Sequence, residues 1–172
     1  TSIFTKNISR CRMVTSPSIS VQNIWKILEQ VSDPEVPVLS ILDLGIIRDV
    51  KINGDEIEII ITPTYTGCPA MDMIAMNIKL ALIENGYSNI KVTSILAPAW
   101  TTDWMSEAGK RKLKEYGIAA PDKKFMIAVD GVECPLCNST NTKLISEFGS
   151  TACKALYQCN DCREPFDYFK CH

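Results

Sequence analysis

The residues of this chain that could do chemistry are mostly cysteines. Cys134 and Cys137 form one C-x-x-C pair and Cys159 and Cys162 form a second, with 21 residues between the pairs. Two thiolate knuckles at that spacing can wrap one tetrahedral metal ion in a small β-ribbon. Zinc is the expected metal, with iron in a rubredoxin-like site as the alternative. Four thiolates in a closed tetrahedron leave no position for a substrate, so the expected role is to hold a fold together. Cys68 is different. It lies in Thr62-Pro63-Thr64-Tyr65-Thr66-Gly67-Cys68-Pro69, read as a loop that opens a helix. Unpaired N–H groups and the dipole at a helix start favour a thiolate, so a lowered pKa is expected for Cys68. Thr64, Thr66 and Gly67 add hydroxyl and backbone donors around it. A single thiolate can take iron or an iron–sulfur cluster but cannot close a site alone. A dimer, a partner or a small thiol would have to complete it.

Asp33, Glu35 and Asp43 cluster upstream. The functional reading has Asp33 and Asp43 facing the Cys68 loop as hydrogen-bond acceptors or hard ligands. The competing reading of Asp33 is a turn residue bonded to its own backbone in Asp33-Pro34-Glu35. Cys153 and Cys171 stand outside the four-cysteine set. Either reads as a small buried hydrophobe; Cys153, six residues before Cys159, is expected on an adjacent strand near the metal, with a swap into the site or a redox pair with Cys171 as less favoured readings.

Several elements must position these residues. Val21, Ile24, Trp25, Leu28 and Val31 fall on one helical face, with Ser20 as N-cap, Ile19 and Ile24 as a staple, and Asp33-Pro34 as the stop. Residues 45–62 alternate with a period of two around an Asn53-Gly54 hairpin turn. Ile60 breaks the alternation, which implies a strand covered on both faces. Pro69 suits the first position of a helix over residues 70–84, rich in Met, Ala, Leu and Ile and expected to be buried on much of its surface; Gly86 ends it. Residues 89–96 read as a third strand, with Ile90 and Val92 on one face. After Ala97-Pro98-Ala99-Trp100 a helix is expected from Asp103 to Tyr116, capped by Thr102. Trp100 and Trp104 are read as core. Pro121-Asp122 reads as a linker. Phe125, Ile127, Val129, Leu144, Ile145, Phe148, Leu156, Tyr157, Phe166, Tyr168 and Phe169 supply short strands around the metal.

Composition narrows the function. The chain has 172 residues, 46% of them hydrophobic, and a net charge of -2. No apolar run approaches the roughly 18 residues that span a membrane. Residues 122–172 hold six Lys/Arg against seven Asp/Glu, so nucleic-acid binding is not expected. The one histidine is His172, which excludes histidine triads and multi-histidine metal sites within this chain. Cysteines in metal spacing point to a reducing, cytoplasmic setting. Residues 1–17 lack acidic side chains and carry Lys6, Arg10 and Arg12. They read as a disordered leader, with an organellar presequence as the alternative.

Asp33-Pro34-Glu35-Val36-Pro37, Asp43-Leu44-Gly45-Ile46-Ile47 and Thr66-Gly67-Cys68-Pro69 together resemble the signatures of the SufT-like iron–sulfur assembly domain, over residues 18–120. From residue 18 to the C-terminus the chain resembles the PaaD (PaaJ) family of phenylacetate-degradation proteins. That wider resemblance adds Ala97-Pro98-Ala99-Trp100-Thr101-Thr102-Asp103-Trp104, Phe148-Gly149-Ser150-Thr151-Ala152-Cys153-Lys154 and the ending from Glu164. The implied fold is α+β: a small mixed sheet packed by helices, then an all-β zinc ribbon over residues 121–172. The implied role is accessory to the oxygenase that epoxidises the ring of phenylacetyl-CoA, maturing the iron–sulfur cluster of its reductase. A structural or regulatory subunit is the alternative. By the resemblance, Cys68 handles iron or cluster transiently, Asp33, Asp43 and Thr66 stand near it, and Cys134, Cys137, Cys159 and Cys162 hold zinc. Implied partners are the reductase, other oxygenase subunits and general iron–sulfur assembly proteins, with a homodimer left open. An enzyme using Cys68 as nucleophile is disfavoured, because no base, phosphate loop or nucleotide fingerprint accompanies it.

Overall fold

The computed structural model describes residues 20–121 and 131–170. The leader, Ile19, Asp122, Phe125, Ile127, Val129, Cys171 and His172 lie outside them. Helix α1 (Val21–Leu28) buries Ile24, Ile27 and Leu28 on one face. Ser20 sits at the N-cap, but its hydroxyl donates to Gln22 Oε1 at 2.7 Å and caps no backbone N–H. The helix stops well before Asp33. The backbone that follows is drawn into pairing with residues 39–41: Ile41 N–H donates to the Val31 carbonyl, Asp33 N–H to that of Leu39, and Ser32 bridges Ser40.

Strands β1 (Ile47–Asn53) and β2 (Glu56–Ile61) form the expected antiparallel hairpin. Asn53 pairs with Glu56, so the turn is Gly54-Asp55, one residue later than the sequence reading, and Gly54 takes φ +65°. Ile57, Ile59 and Ile61 point into the core while Ile60 is half-buried on the other face. Strand β3 (Asn89–Ser94) lies parallel to β2. Parallel neighbours need a crossover, supplied by α2 (Ala70–Glu84). The order β1-β2-β3 makes the expected small mixed sheet.

Helix α2 departs from expectation. Ala70, Ile74, Ile78 and Leu82 are buried, but Met73, Met76, Leu80 and Ile83 are about half exposed. A three-stranded sheet and one short helix cover only one side of it. The next helix, α3 (Glu107–Glu115), also starts later than predicted. Thr102–Trp104 is a separate 3-10 turn, and Ser106 caps α3 by accepting from Gly109 N–H at 2.8 Å. Ser106 prevails over Thr102 as cap because its hydroxyl also donates to Asp43 Oδ1 at 2.8 Å.

Gly45 shows how tightly this region is packed. Its φ is +65°, and a Cβ there would lie 2.1 Å from the Trp104 carbonyl oxygen. The Arg48 guanidinium ties the same corner, bonding the Gly45 carbonyl and lying 3.7 Å above the Trp104 ring. Gly45→Ala should therefore cost at least about 2 kcal/mol, combining left-handed strain with a backbone clash. A urea midpoint unchanged from wild type would contradict this.

Four strands make the second sheet, in the order β4-β7-β6-β5: β4 (Ile118–Ala119), β5 (Thr142–Ser146), β6 (Lys154–Cys159) and β7 (Pro165–Phe169). Strand β4 follows α3 directly and pairs with β7. The two modules also share a core. Cys153 and Phe169, from the ribbon, join the large cluster that contains Ile24, Ile57, Ile78 and Trp100. Trp100 meets Phe169 edge-on, with ring centroids 6.2 Å apart, and its Nε1 donates to the Leu44 carbonyl at 2.8 Å. Among the described residues, no helix is long and apolar enough to cross a membrane.

Candidate metal centres

The ribbon brings its four predicted cysteines together. Their sulfurs all lie within 4.8 Å of one another, with Cys134–Cys162 at 3.8 Å and Cys137–Cys159 at 3.6 Å. A tetrahedral site with metal–sulfur bonds of about 2.3 Å has sulfur–sulfur edges of about 3.8 Å, so the set is built to bind a metal ion. Each knuckle is shaped by backbone. Asn138 and Arg163, the residues after Cys137 and Cys162, take φ +60° and +67° and turn the chain back. Cys134 N–H donates to the Ser139 carbonyl and Cys159 N–H to that of Glu164. N–H groups of Cys162 and Asp161 aim at Cys159 and bring its thiol down to about 7. Val132, Ala119 and Phe166 pack beside Cys134 and Cys159, so the metal site and the small core are one unit.

Cys68 lies where predicted, just before α2, and is half-buried. Its sulfur accepts from the Ala70 N–H and from the Tyr65 hydroxyl. Its pKa nevertheless moves opposite to the expectation. Burial pushes the thiol up, and the nearby charges of Glu35 and Asp33 push the same way, outweighing both hydrogen bonds. A local helix-start effect is overridden by desolvation. The thiol therefore stays protonated through neutral pH. Alkylation of Cys68 by iodoacetamide, followed on its own peptide by mass spectrometry, should be slower than for a free thiol. Its rate should still be climbing at pH 9.0, the ordinary value for a thiol. A rate already level there would contradict the upward shift.

The predicted carboxylates divide. Asp33 is buried and its Oδ1 accepts from the N–H groups of Glu35 and Val36, each at 2.8 Å, so it builds the turn; its charge still reaches Cys68. Asp43 is turned to α3 instead. It accepts from Ser106 Oγ at 2.8 Å, Lys112 Nζ at 2.6 Å and Ser40 N–H at 3.2 Å. Burial alone would raise this carboxyl, but those bonds together hold it below its ordinary value. Thr66 is exposed beside Cys68. With Thr64, Tyr65, Leu96 and Trp100 it lines a cleft of about 60 Å³.

Tyr65 was assigned no role from sequence, and Cys153 was placed elsewhere. Tyr65 is pushed up to about 12 by burial and then by Cys68, so it stays a donor. Cys153 is not near the ribbon cysteines. The length of β6 separates it from Cys159, about 20 Å at the rise of a strand, and it is buried against Glu35, its sulfur 3.6 Å from Oε2. No local pattern could have placed Glu35 beside a thiol far along the chain.

The chain is similar to an iron–sulfur cluster assembly domain followed by a zinc-ribbon module. Residues 21–93 match the family described as iron-sulfur cluster assembly protein, and residues 120–170 match the PaaD zinc beta ribbon domain. The chain is 50% identical over 162 residues to an Escherichia coli (strain K12) protein provisionally named as one of the subunits of 1,2-phenylacetyl-CoA epoxidase, covering 93% of this chain and 98% of that protein. The chain therefore belongs to the PaaD family. It is also 37% identical over 91 residues to the Fe-S protein maturation auxiliary factor YitW of Bacillus subtilis (strain 168), covering 52% of this chain and 88% of that protein. A crystal structure of a domain of unknown function from Bacillus anthracis superposes with a TM-score of 0.50 at 30% identity, over 54% of this chain and 89% of that one.

Proposed function

We propose that this protein is a cytoplasmic, non-catalytic carrier that takes iron or an iron–sulfur cluster at Cys68 and delivers it to the reductase of a phenylacetyl-CoA epoxidase. One observation carries the reading: a half-buried, hydrogen-bonded thiol at the start of α2, beside Tyr65 and the charges of Asp33 and Glu35. Kinship with a named maturation factor and with a protein named for the epoxidase supports both halves of the reading. Asp33 shapes the Cys68 environment, Asp43 fixes α3 and Thr66 stands beside Cys68. General assembly proteins supply the cargo. Residues 18–120 act as the carrier module and residues 121–172 as a ribbon held by zinc, which supplies a tetrahedral clamp and no chemistry.

The exposed Met73, Met76, Leu80 and Ile83 stripe favours a second reading, a structural component bound to the epoxidase; co-purification in a fixed ratio would support it. The carrier reading is tested in cells whose only copy is Cys68→Ser. Their reductase should contain less than about a tenth of its normal iron, with protein level unchanged. Full cluster content there would refute it.

A further inference from the structure

Helix α2 is apolar on two opposite faces. Ala70, Ile74, Ile78 and Leu82 are buried against the rest of the chain. Met73, Met76, Leu80 and Ile83 are about half exposed. At 3.6 residues per turn this second stripe lies almost straight across the helix from the first. Single surface hydrophobics need no explanation, but an unbroken stripe along three turns marks a binding face. Its spacings are 3, 4 and 3, the rhythm by which two helices interdigitate. Written as a heptad abcdefg, Met73 and Leu80 take a, and Met76 and Ile83 take d. Lys79 then borders the stripe on one side as g, and Glu84 on the other as e of the next heptad. Both are exposed. Among the described residues neither has an ion-pair partner.

We propose that α2 pairs with α2 of a second copy of this chain, parallel and in register about a two-fold axis, to form a homodimer. Charge decides both the occupant and the direction. In a parallel pair a g residue meets the e residue five positions further on in the other helix, and such pairs set partner choice and orientation. Lys79 therefore meets Glu84 of the second copy, and the two-fold axis repeats the pair on the other side. An antiparallel pair would set g beside g. Met76 would then pack on Leu80, and Lys79 would face Lys79 of the second copy, two like charges. The helix is already ordered by its buried face, so a short stripe does not have to induce it. Cys68 stands just before α2, so parallel pairing sets both Cys68 loops at one end of the interface, whereas antiparallel pairing would set them at opposite ends. The dimer does not rest on the carrier reading.

The test is sedimentation velocity on the full chain over a dilution series. Wild type should run as a dimer when concentrated and dissociate on dilution. Leu80→Glu, which sets a carboxylate in the stripe, should leave a monomer throughout. Lys79→Glu and Glu84→Lys should each weaken the dimer about tenfold, because each turns two attractions into two repulsions. Glu84→Lys also moves the net charge from -2 toward zero, which by itself favours association, so its weakening would be specific. The variant carrying both changes should regain wild-type affinity. All three positions are exposed, so far-ultraviolet circular dichroism should match wild type in every variant. A wild type that stays monomeric at every concentration overturns the proposal and leaves the stripe to a different protein. A dimer indifferent to Glu84→Lys, or one that the double change fails to restore, overturns the parallel pairing in favour of an antiparallel pair or another face.

Discussion

Cys159→Ser should abolish metal binding at the ribbon and lower the melting temperature of the whole chain, not of the ribbon alone. Structural zinc contributes about 10–16 kcal/mol of apparent folding free energy in small zinc-held peptides, comparable with the total stability of a domain, about 5–15 kcal/mol. Among the described residues the ribbon's own hydrophobic cluster is small: Ala119, Val132, Cys134, Cys159 and Phe166, with Tyr157, Cys162 and Tyr168 packed against it. Without the metal that cluster cannot offset the chain entropy of its loops. The loss then spreads. Phe169 and Cys153 leave the N-terminal core, β4 loses β7, and Trp100 loses its edge contact. Tryptophan emission should shift to the red on treatment with a strong chelator, together with the loss of β-sheet circular dichroism. A ribbon that unfolds while tryptophan emission and the main melting transition stay fixed would show that the shared core is not energetically shared.

Trp100→Ala should cost about 3–5 kcal/mol, the range for deleting a large buried aromatic side chain. The indole is 3% exposed, and its hydrogen bond to the Leu44 carbonyl is buried and cannot be replaced by water. That unpaired carbonyl adds about 1 kcal/mol or more. Because Trp100 is also a bridge to the ribbon, the variant should melt in two steps while keeping its ribbon metal. A single transition within about 1 kcal/mol of wild type would refute the bridging role. The surface pair Lys114–Glu133, at 2.7 Å and half exposed, also crosses the seam but should matter far less.

The features legible in the sequence are those fixed by neighbours along the chain. The knuckles follow from C-x-x-C spacing, the hairpin from alternating isoleucines and a glycine turn, and the end of α2 from Gly86, which takes φ +88°. What was misread depends on distant partners. Helix α1 ends early because residues 39–41 claim the backbone after it. Ser106 wins the cap of α3 through Asp43, 63 positions away. The Asp43 carboxylate was expected beside Cys68 and instead braces α3. The Cys68 pKa turned on burial, which a helix-start argument cannot see. Cys153 was drawn to the ribbon metal by sequence distance, yet it lies on Glu35, 118 residues away.

On the function proposed above, Cys68 holds iron or a cluster in transit while the ribbon keeps a separate, permanent metal. Metal analysis with absorption spectra, on wild type and Cys68→Ser protein purified without oxygen, tests it directly. One zinc per chain is expected in both, with iron and its visible absorption in wild type only. Equal iron in the two proteins, or iron that follows the four ribbon cysteines instead of Cys68, would contradict it.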